Sequence, residues 1–592
     1  MAFDAFMKGP YWGPFFLHYP EHGMKSLVEI FGPLALLGVV LLAAGCTPRE
    51  AQPAPDYLFL NGKVLTVNEE FSIVEAVAVT GNKISAVGTS DELSSLAGEN
   101  TRVIDLDGKT MTPGIIDVHN HLIYNAAIWP NSARLASART RKEALQILAA
   151  KADEFGPGDG PEHIVFGFGG WKPLQFSDDP SPFTRTELDA AVPNNPVIVG
   201  GWNGATLNSK AMAYGGITAD TPDPEPGSGK IWRDENGVPS GYFTGSIFIK
   251  WELRPLFPVV TAESVVTGLK AEIDDYLALG VTTSMTYNGP EFPEPLMYHI
   301  RDTFADTPEQ KMRIYYPPHF KNNVSAWEPD EVAYVIEGLS TQKPFTGSEM
   351  FQLTHFGEHV YLPIPGINGH VTEEEWAIFK EIATVAAKNG WQISEHAHRN
   401  SIMEREIEIY EAINKEHPIT DLRWRVEHST TISRDLIERM KALGMLVSIQ
   451  SHIAISTPET RAGGYFISVA EQDTPPLGDL RDSGIIYGFG SDAQIAGRDS
   501  PFFTLYWLVT GKDATGQAFF TRDTLSREEA LVGHTRSNAY LMFKEDKLGT
   551  IEVGKLADLV VLDRDYMTVP ADDIRDLKSI LTMVDGRIVY ER

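Results

Sequence analysis

From Asp56 to Thr112, hydrophobic and polar residues alternate in short runs: YLFLNGKVLTV, SIVEAVAVTGNKISAVG and RVIDLDGKTMTP. A period of two marks strands with one buried face. Asn61-Gly62, Gly81-Asn82 and Asp107-Gly108 break the runs with dipeptides of the hairpin kind. The same texture returns at the far end, in LGTIEVGKLADLVVLD and SILTMVDGRIVY. Neither end has strands enough to bury a face alone. The two are therefore predicted to assemble one β-sandwich from residues 56–113 and 546–592.

Between them the pattern changes to short apolar runs separated by helical stretches. Gly114, Ile115, Ile116 and Val118 read as a first buried strand after a Thr112-Pro113-Gly114 turn. Further strands are predicted at VTTSMTY (Val281 to Tyr287), MRIYYPPHF (Met312 to Phe320) and MFQLTHFGE (Met350 to Glu358). WQISEHAH (Trp391 to His398), LRWRVEHST (Leu422 to Thr430), LVSIQSH (Leu446 to His452) and IIYGFGSDA (Ile485 to Ala493) complete the set. Eight strands alternating with helices predict an α/β fold, a (β/α)8 TIM barrel over residues 114–545. The stretch from about 122 to 260 is too long for one loop. Its segments PNNPVIVGGWNGATLNSKAM and GKIWRDENGVPSGYF predict a lid inserted after the first barrel strand.

Charge narrows the partners. The net charge is −30, from 80 acidic against 50 basic residues. Such a surface repels phosphate backbones, so nucleic acid is excluded as a partner and a small-molecule substrate is expected. Homo-oligomerisation is left open. The single cysteine, Cys46, follows Lys25, the apolar run Ile30 to Leu42 and Ala43-Ala44-Gly45. That order resembles a bacterial lipoprotein signal, and Met24 is its more natural start. Residues 1–55 are thus expected to be a signal and tether, with an exported protein held to the membrane only by lipid on Cys46.

Candidate chemistry sits at the strand ends, where barrel active sites are built. His119 and His121 stand two apart on the first strand and so share a face. The fifth strand ends in His396 and His398, the sixth in Glu427-His428, the eighth in Asp492. Imidazole and carboxylate donors without cysteine favour zinc, with iron and manganese as alternatives. Glu395 and Glu427 lie on the opposite parity, which points them away from the cavity.

The order His-x-His, strand-five His, strand-six His, strand-eight Asp, with a split sandwich, resembles the amidohydrolase superfamily. More narrowly it resembles the YtcJ-like branch, which includes N-substituted formamide deformylases. The segments LNGKVLTV, TPGIIDVHNHL, FGFGGW, TRTELDAAVPNNPVIV, LNSKAMAYGGIT, LRWRVEHS, GFGSDA and GTIEVGKLADLVVLD carry the resemblance. It implies a metal-dependent hydrolase of an amide-type, non-peptide carbon–nitrogen bond. An aminohydrolase of a small amino-heterocycle is the alternative, and a lipid-anchored binding protein with a dead site the third reading.

Three departures shape the expected site. Where many members carry a bridging lysine on strand four, the matching position is Gln352, so one cation on His119, His121, His396 and Asp492 is expected. The strand-five motif runs HAHRN, with Arg399 and Asn400 replacing a small-acidic pair. The lid motif reads WNGATLNSKA, with Asn203 where a histidine is usual. The bound cation would bring its water to a pKa of about 7. Asp492 would then be the proton-transferring base and His428 the group that orients the carbonyl. Gln352, Asn203, Trp202, Trp171 and Arg399 are the expected substrate-facing residues.

Overall fold

The computed structural model describes residues 53–126, 129–201, 204–223, 229–244, 261–287, 294–318, 329–361, 371–455, 475–493, 500–518 and 523–592. The Cys46 signal and two expected site residues, Trp202 and Asn203, lie outside these. Among the described residues no helix is long and apolar enough to cross a membrane.

Eight parallel strand positions follow one another in chain order. They are β1 (Ile115–Asn120), β2 (Val281–Thr286), β3 (Arg313–Tyr316) and β4, which runs Phe351–Leu353 and resumes as His355–Glu358. Then come β5 (Gln392–Ala397), β6 (Arg425–His428), β7 (Leu446–Gln450) and β8 (Tyr487–Gly490). Each pairs in parallel with the next, with one break inside β4 at Thr354. Past the end of β8 the chain bonds back to β1. Asp492 N donates to His119 O at 2.8 Å, and His121 N to Ala493 O at 2.6 Å.

Several helices begin with one recurring device. Thr140 with Glu143, Thr184 with Glu187, Thr372 with Glu375 and Ser526 with Glu529 each satisfy two first-turn amides reciprocally. The helix Glu373–Lys388 ends just before Gly390, whose φ of +74° is the left-handed turn the sequence signalled. Its Trp376, Phe379, Ile382, Ala383 and Ala386 are buried in the large core around the parallel strands.

The two chain ends meet in one sheet. Leu559–Leu562 pairs antiparallel with Thr110–Pro113, placing C-terminal strands beside N-terminal ones in a six-stranded sheet. A four-stranded sheet holds Tyr57–Leu60, Ala76–Thr80, Lys83–Gly88 and Arg102–Asp105. Phe59, Val77 and Val79 of the smaller sheet share a core with Met111, Leu559 and Met583 of the larger. Arg313 of β3, fully buried, locks this region to the parallel strands through Asp558 at 2.8 Å and Asp585 at 3.0 Å.

Between β1 and β2 a separate five-stranded sheet is inserted, from Val165–Phe168 to Pro239–Thr244. It carries its own apolar clusters. Asn208, in the LNSKAM motif, caps the helix Ser209–Tyr214 and accepts the Val197 amide at 2.9 Å, so it is a hinge pin of the insertion.

Candidate metal centre

His119 and His121 follow from β1 being buried along its whole length, which leaves its end pointing into the protein rather than into solvent. His119 Nδ1 lies 2.9 Å from Glu427 Oε2, which fixes the ring and turns Nε2 the other way. That Nε2 is buried without a hydrogen-bond partner, 3.6 Å from Asp492 Oδ1 and 3.8 Å from Glu358 Oε1. His121 Nε2 stands 3.1 Å from Asp492 Oδ1 and 3.7 Å from Glu358 Oε2.

Glu358, the last residue of the MFQLTHFGE segment and not among the four expected ligands, stands within the cluster. Its Oε1 lies 2.5 Å from His396 Nδ1 and 3.0 Å from His428 Nε2, while its Oε2 lies 3.7 Å from His121 Nε2. The preceding Gly357 has φ +137°, and a Cβ there would fall 1.8 Å from Ser394 O. Only glycine lets β4 approach β5 closely enough to deliver the carboxylate.

The ends of β6 and β8 are turned by unusual backbone. His428 and Asp492 have φ of +68° and +57°, conformations that non-glycine residues rarely adopt. Gln450 Oε1 holds the His428 amide at 2.7 Å. Ser491 is tied to Asp117, N to Oδ1 at 3.0 Å and Oγ to Oδ2 at 2.6 Å, so Asp117 anchors the turn that presents Asp492.

Beneath the cluster, Glu427 accepts from Arg425 Nε at 2.6 Å, Tyr287 OH at 3.0 Å and Gln450 Nε2 at 2.9 Å, all buried. This network supplies the group that orients a would-be ligand imidazole from behind. Three further imidazoles surround it. His452 Nδ1 lies 3.1 Å from Asp492 Oδ2, the His398 ring stacks on His428 at 4.5 Å, and the His359 ring sits 4.9 Å from His396.

Electrostatics match a cation site. Burial works to raise the Glu358 pKa, but the charge on His119 and the bonds from His396 and His428 outweigh it and hold the carboxyl ionised. Asp492 is lowered likewise: burial opposes, and His119, His121 and His452 prevail. Burial and the neighbouring His396 push His428 down to about 3, which leaves it neutral with a lone pair to give. For His119, burial opposes a proton, but Glu427 and Glu358 outweigh it and hold one. A cation taking Nε2 would displace that proton. Nitrogen and oxygen atoms of His119, His121 and Glu358 lie within 4.8 Å of one another, as do those of His396, His398 and His428 and of His428, His452 and Asp492. Neutral imidazoles, ionised carboxylates and an orphaned buried nitrogen fit divalent cations.

The expected substrate-facing residues fare differently. Gln352 accepts from Lys544 Nζ at 2.8 Å and pairs with Tyr315, in the first half of the interrupted β4 and away from the cluster. The β4 carboxylate within the cluster is Glu358, six residues on. Trp171 is not a pocket wall either. It packs between Phe176 and Phe183, with ring centroids 5.7 and 5.6 Å away, in the core of the insertion. Arg399 is exposed at the start of the helix Asn400–Asn414. His428, expected only to orient substrate, stands among the candidate ligands.

Parallel strands ending in a buried cluster of imidazoles and carboxylates define a metal-dependent hydrolase of the barrel-type α/β class. The sequence model of the Amidohydrolase family matches residues 102–590, and the chain belongs to that family. It is accordingly a hydrolase of carbon–nitrogen bonds other than peptide bonds. The chain is 27% identical over 91% of its length to N-substituted formamide deformylase of Arthrobacter pascens, covering 98% of that protein. It is 26% identical over 90% of its length to the putative amidohydrolase YtcJ of Bacillus subtilis, again covering 98%. An uncharacterized metal-dependent hydrolase from Pyrococcus furiosus superposes with a TM-score of 0.58, at 19% identity, over 86% of this chain and 100% of that one, a likeness of fold.

Proposed function

We propose that the protein hydrolyses a small N-substituted amide, with a formyl or similarly small acyl group, using two divalent cations that share Glu358. Glu358 is the observation that carries this reading, because its oxygens face His396 and His428 on one side and His121 on the other. His119, His121 and Asp492 would complete one position, His396 and His428 the second. The donor set suits zinc, with iron and manganese as alternatives. Bound there, the cations would acidify a water and polarise the substrate carbonyl.

The remaining steps belong to the chain's own residues. Asp492 takes the proton lost by the water and returns it to the leaving nitrogen, so the amine departs neutral. Its Oδ1 faces His119 and His121, which leaves Oδ2 for the proton. Glu427 holds His119 in one orientation throughout. The acyl side of the substrate is inferred from the relative named for N-substituted formamides. The aminohydrolase alternative loses its support, since Gln352 lies away from the cluster and the exposed Arg399 stands where a proton-shuttling glutamate would be needed.

The larger frame is inferred in the same way. The eight strands close into a barrel through the bonds from Asp492 and His121, the terminal sheets form a sandwich, and the inserted sheet covers the site as a lid. Export and lipid attachment at Cys46 rest on the signal-like order of residues before it.

The test is product analysis with N-phenylformamide, N-phenylacetamide and an amino-triazine. Aniline release from the formamide, abolished by chelation and restored by zinc, is the expected result. Ammonia from the triazine without amide cleavage would replace this reading with deamination.

A further inference from the structure

Asp492 has one carboxylate oxygen turned to His119 and His121, and the other faces a residue no motif singled out. His452 Nδ1 lies 3.1 Å from Asp492 Oδ2. The imidazole is buried, with 6% exposure, and its Nδ1 makes no aligned hydrogen bond, so the ring stands slightly off line. Bonds of this kind commonly tighten only when the site is filled.

The surroundings leave His452 little freedom. It stands edge-on to His428 at 4.9 Å and to His398 at 5.4 Å, with interplanar angles of 86° and 81°. Its backbone is pinned on both sides. Ser451 N donates to Gly490 O at 3.2 Å, and Ala454 N to Ser451 O at 3.0 Å. Asp492 is pinned as well, by its amide on His119 O and by Ser491 on Asp117. With both backbones fixed, the carboxylate can still turn about its Cα–Cβ and Cβ–Cγ bonds. Turning about Cβ–Cγ swings the carboxylate plane, and with it the direction in which the outer oxygen offers its lone pairs to a proton. His119 and His121 approach Oδ1, at 3.6 and 3.1 Å.

We propose that His452 is a positioning residue for Asp492: its Nδ1–H holds Oδ2 and so fixes the plane of the carboxylate, with one oxygen toward His119 and His121 and the other set to take the proton. The inference rests on Asp492 acting as the base. His452 ligates no cation in this account and touches no substrate; it acts through Asp492 alone. Partners that orient ligands from behind are typically worth ~10–100-fold in activity or metal affinity. Here the loss falls on turnover, because Asp492 Oδ1 keeps its place between His119 and His121.

The experiment compares wild type, His452→Ala, His452→Asn and Asp492→Asn, all loaded with zinc. Each is assayed for N-phenylformamide hydrolysis and for zinc per chain, and the zinc-loaded wild type is crystallised. Expected is a ~10–100-fold fall in kcat for His452→Ala with KM and zinc content unchanged. His452→Asn, whose amide can still donate, should recover most of that loss. In the crystal His452 Nδ1 should lie within about 3.2 Å of Asp492 Oδ2. Wild-type kcat in His452→Ala beside an inactive Asp492→Asn overturns this inference and spares the proposed function. Near wild-type turnover in Asp492→Asn overturns the proposed function itself. Zinc lost together with activity in His452→Ala, or His452 bonded to a zinc ion in the crystal, makes it a ligand and overturns the positioning role. The crystal decides this even if N-phenylformamide is a poor substrate.

Discussion

On the strand-one side of the cluster, His119 is held from behind by Glu427, and Asp492 by the His119 carbonyl and the Asp117–Ser491 pair. On the strand-five side, the hydrogen-bonding neighbours of His396 Nδ1 are Glu358 and His428, and its side chain is 18% exposed. The first side is thus braced by groups behind the cluster, whereas His396 on the second is held through Glu358 and His428. The difference locates the fragile point of the site at one carboxylate on β4. It also separates two ways for a variant to fail, by losing ions or by losing chemistry.

The largest effect is expected from Glu358→Ala. In the proposed site both cations share that carboxylate, so zinc content should fall by at least half and turnover by more than ~10⁴-fold. Elemental analysis with kinetics on one preparation checks it, and a variant that keeps both ions would break the comparison at its root. Asp492→Asn comes next. It keeps a donor of the same shape but no base, so turnover should drop by ~10²–10⁴-fold while most zinc remains. Glu427→Gln sharpens the contrast between the sides. It weakens the support behind His119, so affinity for one of two ions should fall ~10–100-fold, with excess zinc restoring activity. Calorimetric zinc titration reads the two positions separately, and equal weakening of both would remove the distinction drawn here.

Two smaller effects serve as controls. His534 is buried beside Phe489, and burial pushes its pKa down to about 4 from 6.5. The unfolded chain binds that proton below about 6.5, and the folded chain only below about 4. Stability is therefore full above 6.5 and lost as pH falls through this window, by up to ~1.4 kcal/mol per pH unit. Melting temperatures of wild type and His534→Gln between pH 7 and 4.5 should converge on acidification. Gln352→Ala should change least. Zinc content should be unaltered and kcat within about twofold, with ~1 kcal/mol of stability lost with the Lys544 bond.

Much of this architecture could be read from residue patterns because period two and helix punctuation survive in one sequence. The β1 histidines, His396, His428 and Asp492 were legible because each ends a strand that its apolar run announces. Glu358 was not, although the segment ending in it was drawn as a strand. Matching MFQLTHFGE to the family's lysine-bearing strand settled on Gln352, but the strand breaks at Thr354 and it is the end of the second half that enters the cluster. His452 was likewise drawn at a strand end, but a lone histidine gives no signal until Asp492 is seen beside it. Trp171 failed for a simpler reason. An aromatic in a glycine-rich segment suits a pocket wall and a core equally, and the rings of Phe176 and Phe183 decide for the core.

The central claim is that Glu358 is shared by two cations. Zinc per chain, measured after loading and desalting wild type and Glu358→Ala side by side, tests it most directly. The account expects about two in the wild type, falling to one or fewer in the variant. One zinc per chain in both proteins would contradict it and return the site to a single cation on His119, His121, His396 and Asp492.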